Sequence, residues 1–167
     1  ILRDAGRDPI IVTMGRGGPE DPELIDVPSD PVEELVRAAD AGKHAASDYR
    51  EDAVLSGVPT VGCRRCGGGL FGAAYYSNVL EGARMAERST SDVVLVEGSG
   101  PTLPPVACDT TLLVCSAASS PEEALDGPAY YRLLLADAVL LTGCDAPSVQ
   151  PEQVEALAGK VQRERGG

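Results

Sequence analysis

The sequence predicts an α/β fold on a doubly wound, mostly parallel sheet, and two observations carry that expectation. Four short apolar runs, at 10–14, 93–96, 111–115 and 138–142, are rich in Val, Ile, Leu and Thr and show no polar alternation. Strands of that kind are buried on both faces, as parallel sheets require. Helical segments lie between them, and from residue 91 onward the order is strand, loop, strand, helix, strand, helix. Such alternation places ligands at the carboxyl ends of the strands.

Taken along the chain, residues 1–9 read as a helix end closing at Gly6 and followed by a strand. Residues 20–34 hold seven acids and no base, the pattern of a solvated loop and helix start. A helix over 31–39 follows Asp30, an N-cap residue, with Pro31 at the first helical position. Further helices are expected at 46–55, 78–88, 121–135 and 154–165, and a short strand at 58–62. Ser120-Pro121-Glu122-Glu123 gives the clearest helix start: a cap, a proline and acids in the first turn. The connection between 96 and 111 is short and proline-rich, too short for a full crossover helix.

A chain of 167 residues suits a single α/β domain spanning 1–167. With no Trp and one Phe, its core must be aliphatic. The net charge of −12 disfavours nonspecific nucleic-acid or anionic-lipid partners. No apolar run reaches membrane-span length and no secretory signal opens the sequence. Five cysteines, an odd number, argue against a disulfide framework, so the expected location is the reducing cytoplasm. A homo-oligomer is compatible with this composition.

Charge distribution is more informative than its sum. Residues 53–80 contain no acid, where about four would be expected at the chain's mean frequency, and Arg64 and Arg65 sit there among glycines. Two guanidinium forks beside glycine amides such as Gly67 and Gly68 form a candidate site for a phosphorylated anion. Small-residue loops follow three of the strands: Gly15-Arg16-Gly17-Gly18, Glu97-Gly98-Ser99-Gly100 and Gly143-Cys144-Asp145. Loops of this composition let backbone amides approach a ligand closely. Glu97, directly after four apolar residues, is placed at a strand tip where a carboxylate can hold Mg²⁺. Lys43 and His44, with Ser47, Asp48 and Tyr49, supply positive charge and a group able to move a proton near neutral pH. Cys63 and Cys66 form a CxxC, but no second ligand pair is spaced to complete a zinc site and no helix pattern follows to make a redox motif.

At these residues the chain resembles the cyclic 2,3-diphosphoglycerate synthetase family. The resembling stretches are Gly6-Arg-Asp-Pro-Ile-Ile-Val-Thr-Met-Gly-Arg-Gly-Gly18, Asp40-Ala-Gly-Lys-His-Ala-Ala-Ser-Asp-Tyr49, Gly57-Val-Pro-Thr-Val-Gly-Cys-Arg-Arg-Cys-Gly-Gly-Gly69 and Val94-Leu-Val-Glu-Gly-Ser-Gly100, continuing through Leu103-Pro-Pro-Val-Ala-Cys-Asp109. The resemblance implies a P-loop NTPase-like core and a ligase that uses ATP and Mg²⁺ to close 2,3-diphosphoglycerate into a cyclic phosphoanhydride. It also implies a Walker-type loop just before Ile1. No Gly-x-x-x-x-Gly-Lys-[Ser/Thr] occurs within the chain, so the expectation is an N-terminally truncated fragment of a longer synthetase, not active alone. Within that picture Arg16, Arg64, Arg65, Gly67 and Gly68 bind substrate, and Glu97, Lys43 and His44 are the catalytic candidates. Glu97 also serves as metal ligand, and Gly15, Gly17, Gly98, Ser99 and Gly100 line the nucleotide.

Two other readings stay open on sequence alone. One is a GTPase-like metallochaperone of similar architecture with Cys63 and Cys66 as metal ligands. The other is a non-catalytic domain that binds a small phosphorylated anion.

Overall fold

A computed structural model describes residues 1–27, 31–42, 49–67, 74–98, 103–125 and 127–166. The chain divides into two compact units, Ile1–Ala107 and Cys108–Gly167.

The first unit is built on a four-stranded sheet. Strand β1 (Pro9–Thr13) lies at its centre, parallel to β3 (Thr60–Gly62) on one side and to β6 (Val93–Glu97) on the other. Strand β2 (Glu23–Ile25) pairs antiparallel with the outer edge of β3, so the order is β2-β3-β1-β6. β1 and β3 are buried almost throughout, because α3 (Val79–Glu87) lays Val79, Gly82, Ala83 and Ala86 on them at helical spacing. Ile10, Val12, Met14, Val61, Cys63, Val79 and Ala86 make this aliphatic core. Gly82 is required there, since a methyl group at that position would fall on the Cys63 sulfur.

The helix-end reading of the first residues fits the hydrogen bonding. Arg7 N–H donates to the Leu2 carbonyl and Gly6 N–H to that of Arg3, with Gly6 at φ +74°. This is the pair of bonds that closes a helix in a Schellman turn. Asp92 anchors the start of β1, accepting Asp8 N–H at 2.7 Å and Arg7 Nε at 3.0 Å.

The acid-rich stretch is less solvated than its composition suggests. Helices α1 (Pro31–Asp40) and α2 (Tyr49–Ser56) meet at Arg50, which is buried. Its guanidinium bonds Glu23 at 2.6 Å and Glu34 at 3.4 Å, and Tyr49 donates its hydroxyl to Glu23 at 2.6 Å. Two of the acids are therefore counter-ions that join β2 to both helices. Burial against this carboxylate pushes the Tyr49 phenol up to about 12. The expected helix at 46–55 is described from Tyr49 onward, its first residues lying outside the described ones.

A hairpin, β4 (Arg65–Cys66) with β5 (Tyr76–Ser77), follows β3. Neither it nor β2 is foreseen from the sequence, because strands of two or three residues carry no readable periodicity.

In the second unit, β7 (Leu112–Ser116) and β8 (Ala138–Thr142) pair in parallel. Helices α4 (Pro121–Leu125), α5 (Pro128–Leu135) and α6 (Pro151–Glu164) complete it, and Leu125, Leu133 and Leu157 pack with Leu113 and Cys115. The Ser120 start forms a reciprocal capping box: Glu123 N–H donates to Ser120 Oγ, and Ser120 N–H to Glu123 Oε2. The single helix expected at 121–135 is two, because Gly127 adopts φ +50° and Pro128 restarts the helix. The helix expected from 154 begins at Pro151, a favoured first helical residue. Burial on both faces does not extend to these strands. Leu112, Val114 and Leu140 are exposed, as are Val94 and Leu95 of β6, so only β1 and β3 have the fully covered environment their composition suggests.

Candidate functional site

The site lies at the carboxyl edge of the first unit's sheet. Parallel pairing aligns the strand ends: Thr13 faces Glu97 in register, and Met14 N–H donates to the Glu97 carbonyl at 3.1 Å. Beyond β3 the alignment continues as an isolated parallel bridge between Gly15 and Arg64, with Arg65 N–H donating to Gly15 O at 3.0 Å. The topology thus brings the loop after β1, the Arg64–Arg65 segment and Glu97 to neighbouring strand ends.

The two arginines have different surroundings. Arg64 is held internally: its Nε donates to Gly18 O at 2.6 Å, and its guanidinium lies 5.9 Å from the Tyr76 ring centroid. Arg65 is half-buried, and its Nε is shielded from water without a hydrogen-bond partner among the described residues. Leaving a buried donor unmade costs about 1–3 kcal/mol, a cost that an oxyanion would offset. Arg16 is exposed in the loop between Gly15 and Gly17. Gly98 is explained by packing, since a Cβ there would stand 2.5 Å from the Met14 methyl carbon. Gly67 opens the β4–β5 turn at φ +75° against Tyr75. Lys43, His44, Gly68, Ser99 and Gly100 lie outside the described residues.

Glu97 ends β6 as an exposed residue, yet partial desolvation and then the nearby Asp52 charge push its carboxyl above the usual range. Among the described residues there is no cluster of three metal-ligating side chains. The sign of the shift gives a test. Ionising Glu97 opposes folding, so its stabilising contribution is present below the unfolded pKa and lost as pH rises through the raised one. Glu97→Gln is therefore expected to raise the melting midpoint at pH 7 in metal-free buffer and to leave it unchanged at about pH 3. Thermal scans at the two pH values check this, and a lower midpoint at pH 7 would contradict it.

The CxxC does not form a thiol pair. Cys63 is fully buried above Val61 and beneath Gly82, and burial pushes its thiol up to about 12. Cys66 faces the loop instead, its sulfur 3.5 Å from the Arg16 carbonyl. The two cysteines therefore have unlike surroundings, Cys63 in the core and Cys66 at the loop.

Asn78 belongs to this sheet edge although its place in the sequence reads only as a helix start. It is buried, and its side chain bonds three backbone groups: it accepts Arg64 N–H at 2.7 Å and donates to Pro19 O at 3.1 Å and Glu20 O at 2.8 Å. It makes no side-chain cap to α3 although it occupies the N-cap position. An Asn at a helix start is the ordinary capping signal, so nothing local distinguishes this one.

These features define an α/β domain with a mostly parallel central sheet and a glycine- and arginine-bearing carboxyl edge. The chain belongs to the cyclic 2,3-diphosphoglycerate synthetase family, whose P-loop domain model matches residues 1–165. It is 45% identical to the cyclic 2,3-diphosphoglycerate synthetase of Rubrobacter xylanophilus over 99% of the chain and 38% of that protein. It is 44% identical to the synthetase of Thermococcus gammatolerans over 92% of the chain and 35% of that protein. For the Methanothermus fervidus synthetase the identity is 42%, over 90% of the chain and 33% of the relative. The chain thus spans between 33% and 38% of the length of these relatives. Among the described residues, no helix is long and apolar enough to cross a membrane.

Proposed function

We propose that this chain forms part of a ligase that closes 2,3-diphosphoglycerate into its cyclic phosphoanhydride, with ATP converted to ADP and phosphate. The observation that carries the reading is the Gly15–Arg64 bridge, which joins a glycine loop to an acid-free arginine segment in a member of this family. The reaction joins two phosphates of one molecule with formal loss of water, and that water appears in the products of nucleotide cleavage. Its physical obstacle is charge: the substrate carries two phosphates and a carboxylate that repel each other and the nucleotide.

The chain's residues answer that obstacle from one edge of the sheet. Arg65 and Arg16 are the cations that neutralise the substrate, the first from a half-buried position and the second from solvent. Arg64 holds the loop and adds its field. Gly15, Gly17 and Gly67 keep side chains away from the approaching phosphates. Glu97, at the end of β6, is the group assigned to hold Mg²⁺. The ion, when bound, would neutralise phosphate oxygens. Lys43 and His44 are assigned proton movement and charge neutralisation, and Gly68, Ser99 and Gly100 further phosphate contacts, on sequence grounds. The chain has no Gly-x-x-x-x-Gly-Lys-[Ser/Thr] run, so its own residues do not supply a Walker lysine. The activity is assigned to the intact synthetase.

Phosphorus NMR of the intact synthetase with 2,3-diphosphoglycerate, ATP and Mg²⁺ tests this. The expected result is a new phosphoanhydride resonance growing in step with ADP. Nucleotide hydrolysis with no change in the diphosphoglycerate signals would overturn the assignment.

A further inference from the structure

The loop after β1 is fastened in one sense only. The bonds that hold residues 15–20 use their carbonyls: Gly15 O accepts Arg65 N–H, and Arg16 O the Cys66 thiol. Gly18 O accepts Arg64 Nε, Pro19 O and Glu20 O accept Asn78 Nδ2, and Glu20 O also accepts the Tyr76 hydroxyl. No hydrogen bond among the described residues uses the amide of Arg16 or Gly17, while Gly18 is buried and ends the turn over these two residues. The loop's acceptors are therefore satisfied by the protein while two successive donors remain. Successive backbone N–H groups with no partner of their own form a concave site for an anion. Gly18 is buried against the Cys63 carbonyl, which fixes the loop from below.

Asn78 is the hub of this fastening. Its side chain uses its acceptor on Arg64 N–H and its amide on two loop carbonyls, and its own backbone N–H donates to Arg64 O at 3.2 Å. A residue in its place would ordinarily cap α3, yet this side chain is committed to the loop instead. Arg64 and Tyr76, two further clamps, come from the same strand-and-hairpin segment.

We propose that the Arg16 and Gly17 amides form an oxyanion cradle for a phosphate group, and that Asn78 is the positioning residue that sets it. Asn78 does not touch the ligand; it acts by turning the loop's carbonyls inward. The cradle rests on the proposed function only for the identity of its guest, since any phosphate monoester dianion fits two successive amides beside Arg65 and Arg16.

Amide hydrogen exchange by NMR on the 167-residue chain tests the proposal. In the wild type the Arg16 and Gly17 amides are expected to exchange rapidly without ligand and to slow at least about tenfold when 2,3-diphosphoglycerate or inorganic phosphate is added, as a newly made hydrogen bond requires. Asn78→Ala is expected to lose that protection, and Tyr76→Phe, which removes one clamp and keeps Asn78, to retain most of it. Should Asn78→Ala fail to fold, Asn78→Asp, which keeps the acceptor and removes both donors, gives the same reading. Protection by inorganic phosphate but not by 2,3-diphosphoglycerate would sustain the cradle and contradict the proposed substrate. Binding of either anion without protection of these amides would overturn the cradle, as would no binding of either, and full protection in both Asn78 variants would overturn the role of Asn78.

Discussion

Replacing Arg65 with alanine is expected to weaken binding of 2,3-diphosphoglycerate by about 10- to 100-fold, with no loss of thermal stability. The magnitude follows from one charge-assisted hydrogen-bond set, worth roughly 1.5–3 kcal/mol. Stability is spared because the Arg65 Nε is buried without a hydrogen-bond partner among the described residues, so truncation removes an unfavourable burial. Arg64→Ala should behave in the opposite way. It breaks the Nε bond to Gly18 O and the contact with Tyr76, costing about 1 kcal/mol of stability, and affects binding through the loop. Calorimetric titration and thermal melts on both variants separate the two arginines. Equal loss of affinity with equal loss of stability would show that they share one role.

Gly18→Ala carries the largest expected effect on folding. A Cβ at that position would fall on the Cys63 carbonyl oxygen and lie 3.1 Å from Arg64 N. The obstacle is backbone within the core, and it cannot be relieved by turning a side chain. Overpacking of this kind costs about 3 kcal/mol or more. Because the same displacement would move the Arg16 and Gly17 backbone, phosphate binding should fall with stability. Urea unfolding gives the first quantity, and a change below about 0.5 kcal/mol, the range of ordinary surface substitutions, would contradict the contact.

The central strands were legible because β1 combines an uninterrupted apolar run with a glycine loop, the signature of a strand covered on both sides. The parallel arrangement of β1 with β6, and of β7 with β8, follows from runs of the same kind. Legibility failed where tertiary partners decide the outcome. Glu23 and Glu34 look like solvated acids until Arg50, well over ten residues away from either, is folded against them. The expected helix over 121–135 breaks at Gly127, where helical periodicity continues across the break. At the candidate site, Arg16, Arg64, Arg65 and Glu97 stand out in composition as charged residues among glycines. The unlike surroundings of Arg64 and Arg65 do not, because adjacent identical residues give no signal of which one the fold will tie down. Asn78 was hidden for the same reason: its three long-range bonds leave no local trace.

The central claim is that this sheet edge gathers cationic and amide groups around a phosphorylated guest. Isothermal titration of the chain with 2,3-diphosphoglycerate, at low and at high salt, tests it most directly. Saturable binding that weakens as salt rises, and that unphosphorylated glycerate does not reproduce, is the predicted result. The absence of saturable heat with 2,3-diphosphoglycerate even at low ionic strength would contradict it.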